Sequence, residues 1–371
     1  MADLVSAKLE LYVWQGSLGA RPATPQYTLR KTKLSTEEII TFEISELVKD
    51  FVEIKFNGDY NSLVQTAWAE WDVERTYSDD STDTFTQQAM AFRGYGDITD
   101  GINPELSKNV MISNRTVHNL CGEFITIPVY SLDQDGVSEI SYIQDSVELE
   151  SLVTGSSSAY TIAQETRLNP PLTDIITIDK TLDAGADSDQ SITSGTLPVG
   201  TDEMTFTDFD GETTTVYVKC IDECKNIPYK VSFINRFGAM QDIWFFAKRT
   251  DSFSTNRESY KKSILKIEEK VYYDTSDHQR SYLSNQGKEK IIMNTGFIDE
   301  SYGEVIKELL VSEYVYIAHT YRRSPTDPIF PLAVPITVAS SAFDIKTRLN
   351  DKLVEYTLEF EADSDFIQSV R

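Results

Sequence analysis

The sequence predicts a mainly β protein: β-sandwich-like domains that each carry one short amphipathic helix, with a β-rich acidic insertion between them. Two observations predict it. Apolar and polar residues alternate with a period of two along much of the chain, and apolar spacing of the helical kind occurs at two places.

Lys8-Leu9-Glu10-Leu11-Tyr12-Val13-Trp14 opens the pattern, with Leu9, Leu11 and Val13 on one face. Helical spacing follows: Ile44, Leu47, Val48 and Phe51 fall at i, i+3, i+4 and i+7, predicting a helix near 43–51. Phe51-Val52-Glu53-Ile54-Lys55-Phe56 then reads as a strand, and Asn57-Gly58 as the tight turn after it. From Leu63 to Tyr77, Ala67, Ala69, Trp71 and Val73 face one way while Thr66, Glu70, Asp72 and Glu74 face the other. Such strands have one dry and one wet face, as in antiparallel sheets.

The second helix is expected near 301–311. Ser301-Tyr302-Gly303-Glu304 has capping-box spacing, and Tyr302, Val305, Ile306, Leu309 and Leu310 follow on one face. Tyr314-Val315-Tyr316-Ile317 reads as a strand directly behind it, so each half offers a helix-then-strand unit that hints at two related domains. Near the C-terminus, Val354, Tyr356, Leu358 and Phe360 alternate with charged or polar neighbours and point inward.

The middle differs. From Gly136 to Val218 fifteen acidic residues stand against two basic ones, Arg167 and Lys180, which is −13 of a total charge of −25. Short β-like runs recur there, Ile175-Ile176-Thr177-Ile178 and Thr213-Thr214-Thr215-Val216-Tyr217-Val218, and Asp208-Phe209-Asp210-Gly211 reads as a hairpin turn. The expected organisation is an N-terminal β domain at 1–135, an acidic Ser/Thr-rich β insertion at 136–218, read as a small sandwich, and a C-terminal β domain at 219–371.

The 371 residues carry 59 acidic and 34 basic side chains, a balance that repels phosphate backbones and anionic membrane faces. The first ten residues lack the charge pattern of a signal peptide, and no run approaches the length of a membrane span. The chain is therefore expected to fold in a cytosol, with Cys121, Cys220 and Cys224 as reduced thiols. Cys220-Ile221-Asp222-Glu223-Cys224 is at best half a zinc site.

Catalytic spacing is missing. His118, His278 and His319 are scattered and read as hydrogen-bonded surface residues. Ser-x-x-Lys occurs twice in succession, at Ser259/Lys262 and Ser263/Lys266, which shows how cheaply that pattern arises. The Asp clusters at 133–135 and 183–189 do not follow an EF-hand loop and read as solvated acidic loops. Phe233, Phe237, Trp244, Phe245 and Phe246 suit either a sugar platform or a buried strand pair turning at Gly238, and the buried pair is preferred. With so many carboxylates, a glycosidase-like pair identifies nothing by abundance.

Ile234-Asn235-Arg236-Phe237-Gly238-Ala239-Met240-Gln241-Asp242-Ile243-Trp244-Phe245-Phe246 resembles a segment of virion structural proteins of tailed bacteriophages and prophages with Bacteroidetes-type hosts, those of the tail above all. Leu9-Glu10-Leu11-Tyr12-Val13-Trp14, Asn294-Thr295-Gly296-Phe297-Ile298 and Lys346-Thr347-Arg348-Leu349-Asn350-Asp351-Lys352-Leu353 are similar to the same proteins. The resemblance implies a non-enzymatic building block, a tube, ring, hub or baseplate part assembling as a ring-like homo-oligomer. Its implied partners are copies of itself, neighbouring virion proteins and passing genomic DNA without specific binding, with no membrane contact. Its implied location is the virion, assembled in the host cytoplasm. No catalytic, cofactor-binding or metal-binding residue and no cofactor is expected. The rivals are a carbohydrate- or receptor-binding β-sandwich and a carboxylate glycoside hydrolase.

Overall fold

The computed structural model describes residues 3–15, 20–34, 39–58, 60, 64–96, 98–100, 110–121, 125–129, 131–132, 135–153, 200–208, 210–321, 330–340 and 353–363. It is mainly β, as expected, with two α-helices among the described residues.

The first sheet is antiparallel and runs β2-β1-β3-β4, from β1 (Leu4–Trp14), β2 (Tyr27–Thr32), β3 (Thr66–Tyr77) and β4 (Thr82–Phe92). Leu9 faces Val73 and Leu11 faces Trp71 across β1 and β3, so the alternation of both strands points to one layer. Ala7, Leu9, Leu11, Val13, Ala67, Ala69 and Val73 are buried there against Val48, Val52 and Ile54. The other face is not uniformly wet: Tyr12, Trp14 and Trp68 bury one another with Met90, an apolar patch that the alternation did not disclose.

Helix α1 spans Ser45–Lys49, inside the expected range, and Val48 is its buried residue. The strand expected at 51–56 is reduced to a single bridge, Lys55 to Val64, although Val52 and Ile54 are buried in the expected alternation. Gly58 takes φ +102°, as the tight turn requires. The segment has its apolar face satisfied by packing without a partner strand along its length. The first helix-then-strand unit thus lacks the strand that the second possesses.

The second sheet gathers β5 (Thr116–Leu120), β6 (Ser131–Leu132), β7 (Asp135–Gln144), β8 (Val147–Val153), β9 (Glu203–Asp208) and β10 (Thr213–Ile221). Its order is β5-β10-β9-β7-β6, with β8 also on β7. The β9–β10 hairpin turns as expected, Thr207 facing Thr213. The described part of the acidic stretch is therefore one sheet, whose apolar side chains Ile140, Tyr142, Met204, Phe206, Val216 and Val218 are covered by residues 110–112 and 125–129. Both expected borders fall inside strands: 135/136 opens β7 and 218/219 cuts β10. Charge changes at those points, whereas the sheet recruits β5 from ahead of them through its parallel pairing with β10. The run at 175–178 and the Asp cluster at 183–189 lie outside the described residues, as do Asp133 and the segment 341–352.

The third sheet has seven strands in the order β12-β11-β18-β19-β21-β16-β13: β11 (Tyr229–Ile234), β12 (Met240–Phe245), β13 (Thr250–Lys261), β16 (Arg280–Asn294), β18 (Val315–Tyr321), β19 (Phe330–Val338) and β21 (Thr357–Ala362). Two small pairs accompany it: β14 (Lys266–Ile267) with β15 (Val271–Tyr272), and β17 (Ile298–Asp299) with β20 (Leu353–Val354). Helix α2 (Tyr302–Val311) lays Tyr302, Val305, Ile306 and Leu309 on this sheet, where Phe233, Phe245, Leu358 and Phe360 are buried. The capping box does not form. Ser301 is already helical and makes no side-chain cap, while its N–H donates to Asp299 Oδ1 at 3.0 Å.

The β11–β12 hairpin is the hinge of the architecture. Its Phe233 and Phe245 belong to the third core, while Ile234 and Met240 complete the first. Gly238 turns it at φ +79°, where an added Cβ would stand 2.7 Å from Phe92 Cβ and 2.9 Å from the Arg93 nitrogen. Only glycine fits that approach of the hairpin to the end of β4.

Candidate assembly surface

A buried polar seam joins residues 111–119 to the β11–β12 hairpin and α2. Asn235, fully buried, donates to the Met111 carbonyl at 2.6 Å and to Gln241 Oε1 at 3.0 Å, and its own oxygen accepts from Phe237 and Ala239 N–H. Gln241 donates on to Asn114 Oδ1 at 3.0 Å, and the Trp244 indole to Asn119 Oδ1 at 2.9 Å. On α2, buried Glu308 accepts from the Ser113 hydroxyl and from the Arg236 N–H at 3.3 Å, and burial raises its pKa. Tyr302 OH receives the His118 N–H at 2.7 Å. These bonds stitch 111–119 to the hairpin and α2, satisfying groups whose burial would otherwise be costly. The aromatic run is thus a buried strand pair: Phe233, Trp244, Phe245 and Phe246 have no exposed faces to offer a sugar.

A second network sits under Tyr60. Its hydroxyl donates to Asp242, which also accepts from Ser232 at 2.6 Å and pairs with Lys230 at 3.2 Å. Burial, with Asp242 beside it, holds the Tyr60 pKa well above its ordinary value. A serine, an acid and a lysine meet here, with Ser232 fully buried and the Asp242 side chain 8% exposed.

One histidine, His118, departs from its expected surface role. His118 is 4% exposed, and neither ring nitrogen has a hydrogen-bond partner among the described residues. His278 is exposed near the end of the β13–β16 hairpin, and His319 lies in β18. Ser259, Lys262, Ser263 and Lys266 are all on that hairpin, where Lys266 pairs with Asp274 and Asp277. The cysteines require a correction: Cys121 and Cys220 form a disulfide with Cα atoms 5.0 Å apart, and Cys224 alone is free and exposed. Parallel pairing sets Asn119 opposite Cys220, so Cys121 arrives within reach. A separation of 99 residues hides that pairing from the sequence. Among the described residues no three His, Cys, Asp or Glu side chains converge as a metal site would require.

A groove of about 540 Å³ lies where α1 meets the end of β4 and the Gly238 turn, lined in part by Lys49, Arg93, Arg236 and Phe237. Arg93 is already engaged by Glu313 at 2.6 Å and by the Val52 carbonyl. This groove is where elements abut.

The outstanding surface is the hairpin of β13 and β16. The two pair from Thr250–Ile292 out to Lys261–Arg280, but among the described residues β16 meets the rest of the sheet only at Lys290 to Asn294, through β21. Beyond that base the ribbon extends about 30 Å at the usual strand rise without a further strand partner among the described residues, and every residue of β13 is exposed. Phe253, Tyr260, Leu265, Ile267, Tyr273 and Leu283 are each more than half exposed along it. A two-stranded ribbon with no buried face is marginal in water, and apolar side chains gathered on it mark a surface meant to be covered. Sequence alternation missed the arm because a ribbon wet on both faces need not alternate. The surviving signal was the turn-poor run of Ser, Thr, Tyr and Lys from 250 to 290.

No helix among the described residues is long and apolar enough to cross a membrane. Set against known proteins, the chain matches no family model, no curated protein and no solved structure.

Proposed function

We propose that this chain is a non-enzymatic structural component of a tailed-phage particle, a tube, ring, hub or baseplate part that assembles with copies of itself and with neighbouring virion proteins. The exposed β13–β16 arm carries the reading. Such a ribbon gains its stability by lying on a neighbour, which is what a repeating assembly provides and an isolated enzyme does not need. The charge of −25 supports a part that DNA passes without sticking. The resemblance of Ile234–Phe246 and of the opening strand to virion proteins points the same way. The carbohydrate-binding alternative loses its main support because the aromatics around Trp244 are buried.

Negative-stain images of the purified protein test the proposal. Rings, stacked rings or trimers are expected. Single particles of one-chain size at every concentration would defeat it, and turnover of a polysaccharide abolished by single Asp or Glu substitutions would replace it with the hydrolase reading.

A further inference from the structure

Of the outermost strands among the described residues, two are both long and largely exposed. β4 is outermost in the four-stranded sheet and β13 is outermost in the seven-stranded one. An open edge presents unpaired N–H and C=O groups, and soluble proteins commonly blunt such edges with charge, Pro, bulges or brevity. β4 is 11 residues long and has no Lys, Arg or Pro, and Thr84 to Ala89 are exposed on both faces. β13 is 12 residues long and exposed throughout. The opposite edges are managed: β2 carries Arg30 and Lys31, and β12 is buried at all but one position.

Charge distinguishes the two ribbons that carry these edges. The β3–β4 hairpin, residues 66–92, holds six acidic side chains against one basic. The stem of the arm, residues 250–262 and 280–290, holds six basic against three acidic, a reversal of sign in a chain of −25. The two edges match in length, and the ribbons that carry them oppose in charge, although β13 itself is balanced and β4 holds one acidic side chain, Asp83.

From this we infer that the β13 edge of one copy pairs with the β4 edge of a second copy, joining the first sheet of one subunit to the third sheet of the next. The inference rests on the assembly reading and adds which strands meet. Because the edges differ, each copy offers one of each, and the contact is heterologous: it closes into a ring or runs on as a filament. Main-chain hydrogen bonds supply the join, and the acidic and basic ribbons set its polarity.

The test uses the full chain and two variants. Thr86→Lys/Gln88→Lys puts cations on the β4 edge, and Arg257→Glu/Lys261→Glu puts anions on the arm. All four positions are exposed, and an unchanged circular dichroism spectrum and melting temperature check the fold. In sedimentation the wild type is expected as an oligomer, each variant alone as a monomer, and their mixture as an oligomer again because the altered charges complement. Amide exchange in 84–89 and 250–261 should slow at least tenfold on wild-type assembly. A wild type that assembles while the β4 variant assembles equally well, with those amides at monomer rates, overturns this inference and leaves the assembly reading standing. A wild type that is monomeric at all concentrations overturns both.

Discussion

Replacing His118 with Phe should remove a defined part of the protein's acid sensitivity. His118 lies in β5 facing the second sheet's junction with α2, its ring centroid 5.2 Å from that of Tyr302. Burial, and after it the charge of Lys219 on β10, push its pKa down from 6.5 to about 4, with Asp299 of β17 opposing. In the unfolded chain the imidazole takes up its proton near 6.5, whereas in the folded chain it does so only near 4. Folded stability therefore falls as pH drops through 6.5 and stops falling, on this account, near 4, and above 6.5 the group contributes no pH dependence. The gap amounts to about 3 kcal/mol at about 1.4 kcal/mol per pH unit. His118→Phe keeps a ring against Tyr302 and buries no unpartnered nitrogen, so it should match or exceed the wild type at pH 7. Between pH 7 and 4 it should lose about 3 kcal/mol less than the wild type. Urea unfolding at stepped pH, followed by tryptophan fluorescence, to which Trp244 beside Asn119 contributes, reads the difference. Equal acid losses in the two proteins, or the His118 imidazole resonance, assigned by its loss in His118→Phe, titrating near 6.5 in the folded state, would refute the reasoning.

Three further outcomes follow from the same structure. Glu308→Ala should cost about 1–3 kcal/mol in urea unfolding by leaving the Ser113 hydroxyl and Arg236 N–H without an acceptor, whereas Glu308→Gln, which keeps an acceptor and removes a buried charge, should cost less at pH 7. Opening the Cys121–Cys220 bridge with dithiothreitol, or by Cys220→Ser, should lower the melting temperature, because a closed loop of about 100 residues is worth at most about 4.7 kcal/mol by chain entropy; a thiol titration that finds three free cysteines without reductant would contradict the bridge. Gly238→Ala should destabilise by more than about 1 kcal/mol, since it combines a left-handed backbone with a clash against Phe92 and Arg93; thermal melts compared with a Gly211→Ala control check it, because an added Cβ at Gly211 meets nothing within 4 Å although its φ is +83°.

The parts of the fold legible in the sequence are those whose residues satisfy one another locally or through a single dry face. Leu9, Leu11 and Val13, or Tyr356, Leu358 and Phe360, declare a strand because each alternate side chain must leave water. Tyr302, Val305, Ile306 and Leu309 declare a helix for the same reason at the other period. The stretch at 51–56 misled because Val52 and Ile54 alternate for packing, with no partner strand along their length. The domain borders misled because acidity changes at 136 and 218, while hydrogen bonding draws β5 into the second sheet and the β11–β12 hairpin into two cores.

The candidate surface was less legible than the core. Asn235, Gln241 and Glu308 look like ordinary polar residues until 111–119 folds against them and takes their hydrogen bonds. Cys121 and Cys220 meet because β5 and β10 run parallel, a fact set by long-range pairing. The arm shows itself only when its strands fail to find a second layer.

The sequence by itself determined that the chain is β-rich, where the two helices among the described residues lie, that the Gly238 turn joins a buried aromatic pair, and that the chain is strongly acidic. These follow from side-chain period, turn chemistry and charge, which act over a few residues or over the whole composition. Only the tertiary structure decided which strands share a sheet, which polar residues are buried as a seam, and which ribbon remains wet on both faces. Those outcomes depend on contacts between residues far apart in the chain, from 60 positions for Leu11 and Trp71 to 195 for Ser113 and Glu308, where local pattern carries no information about the partner.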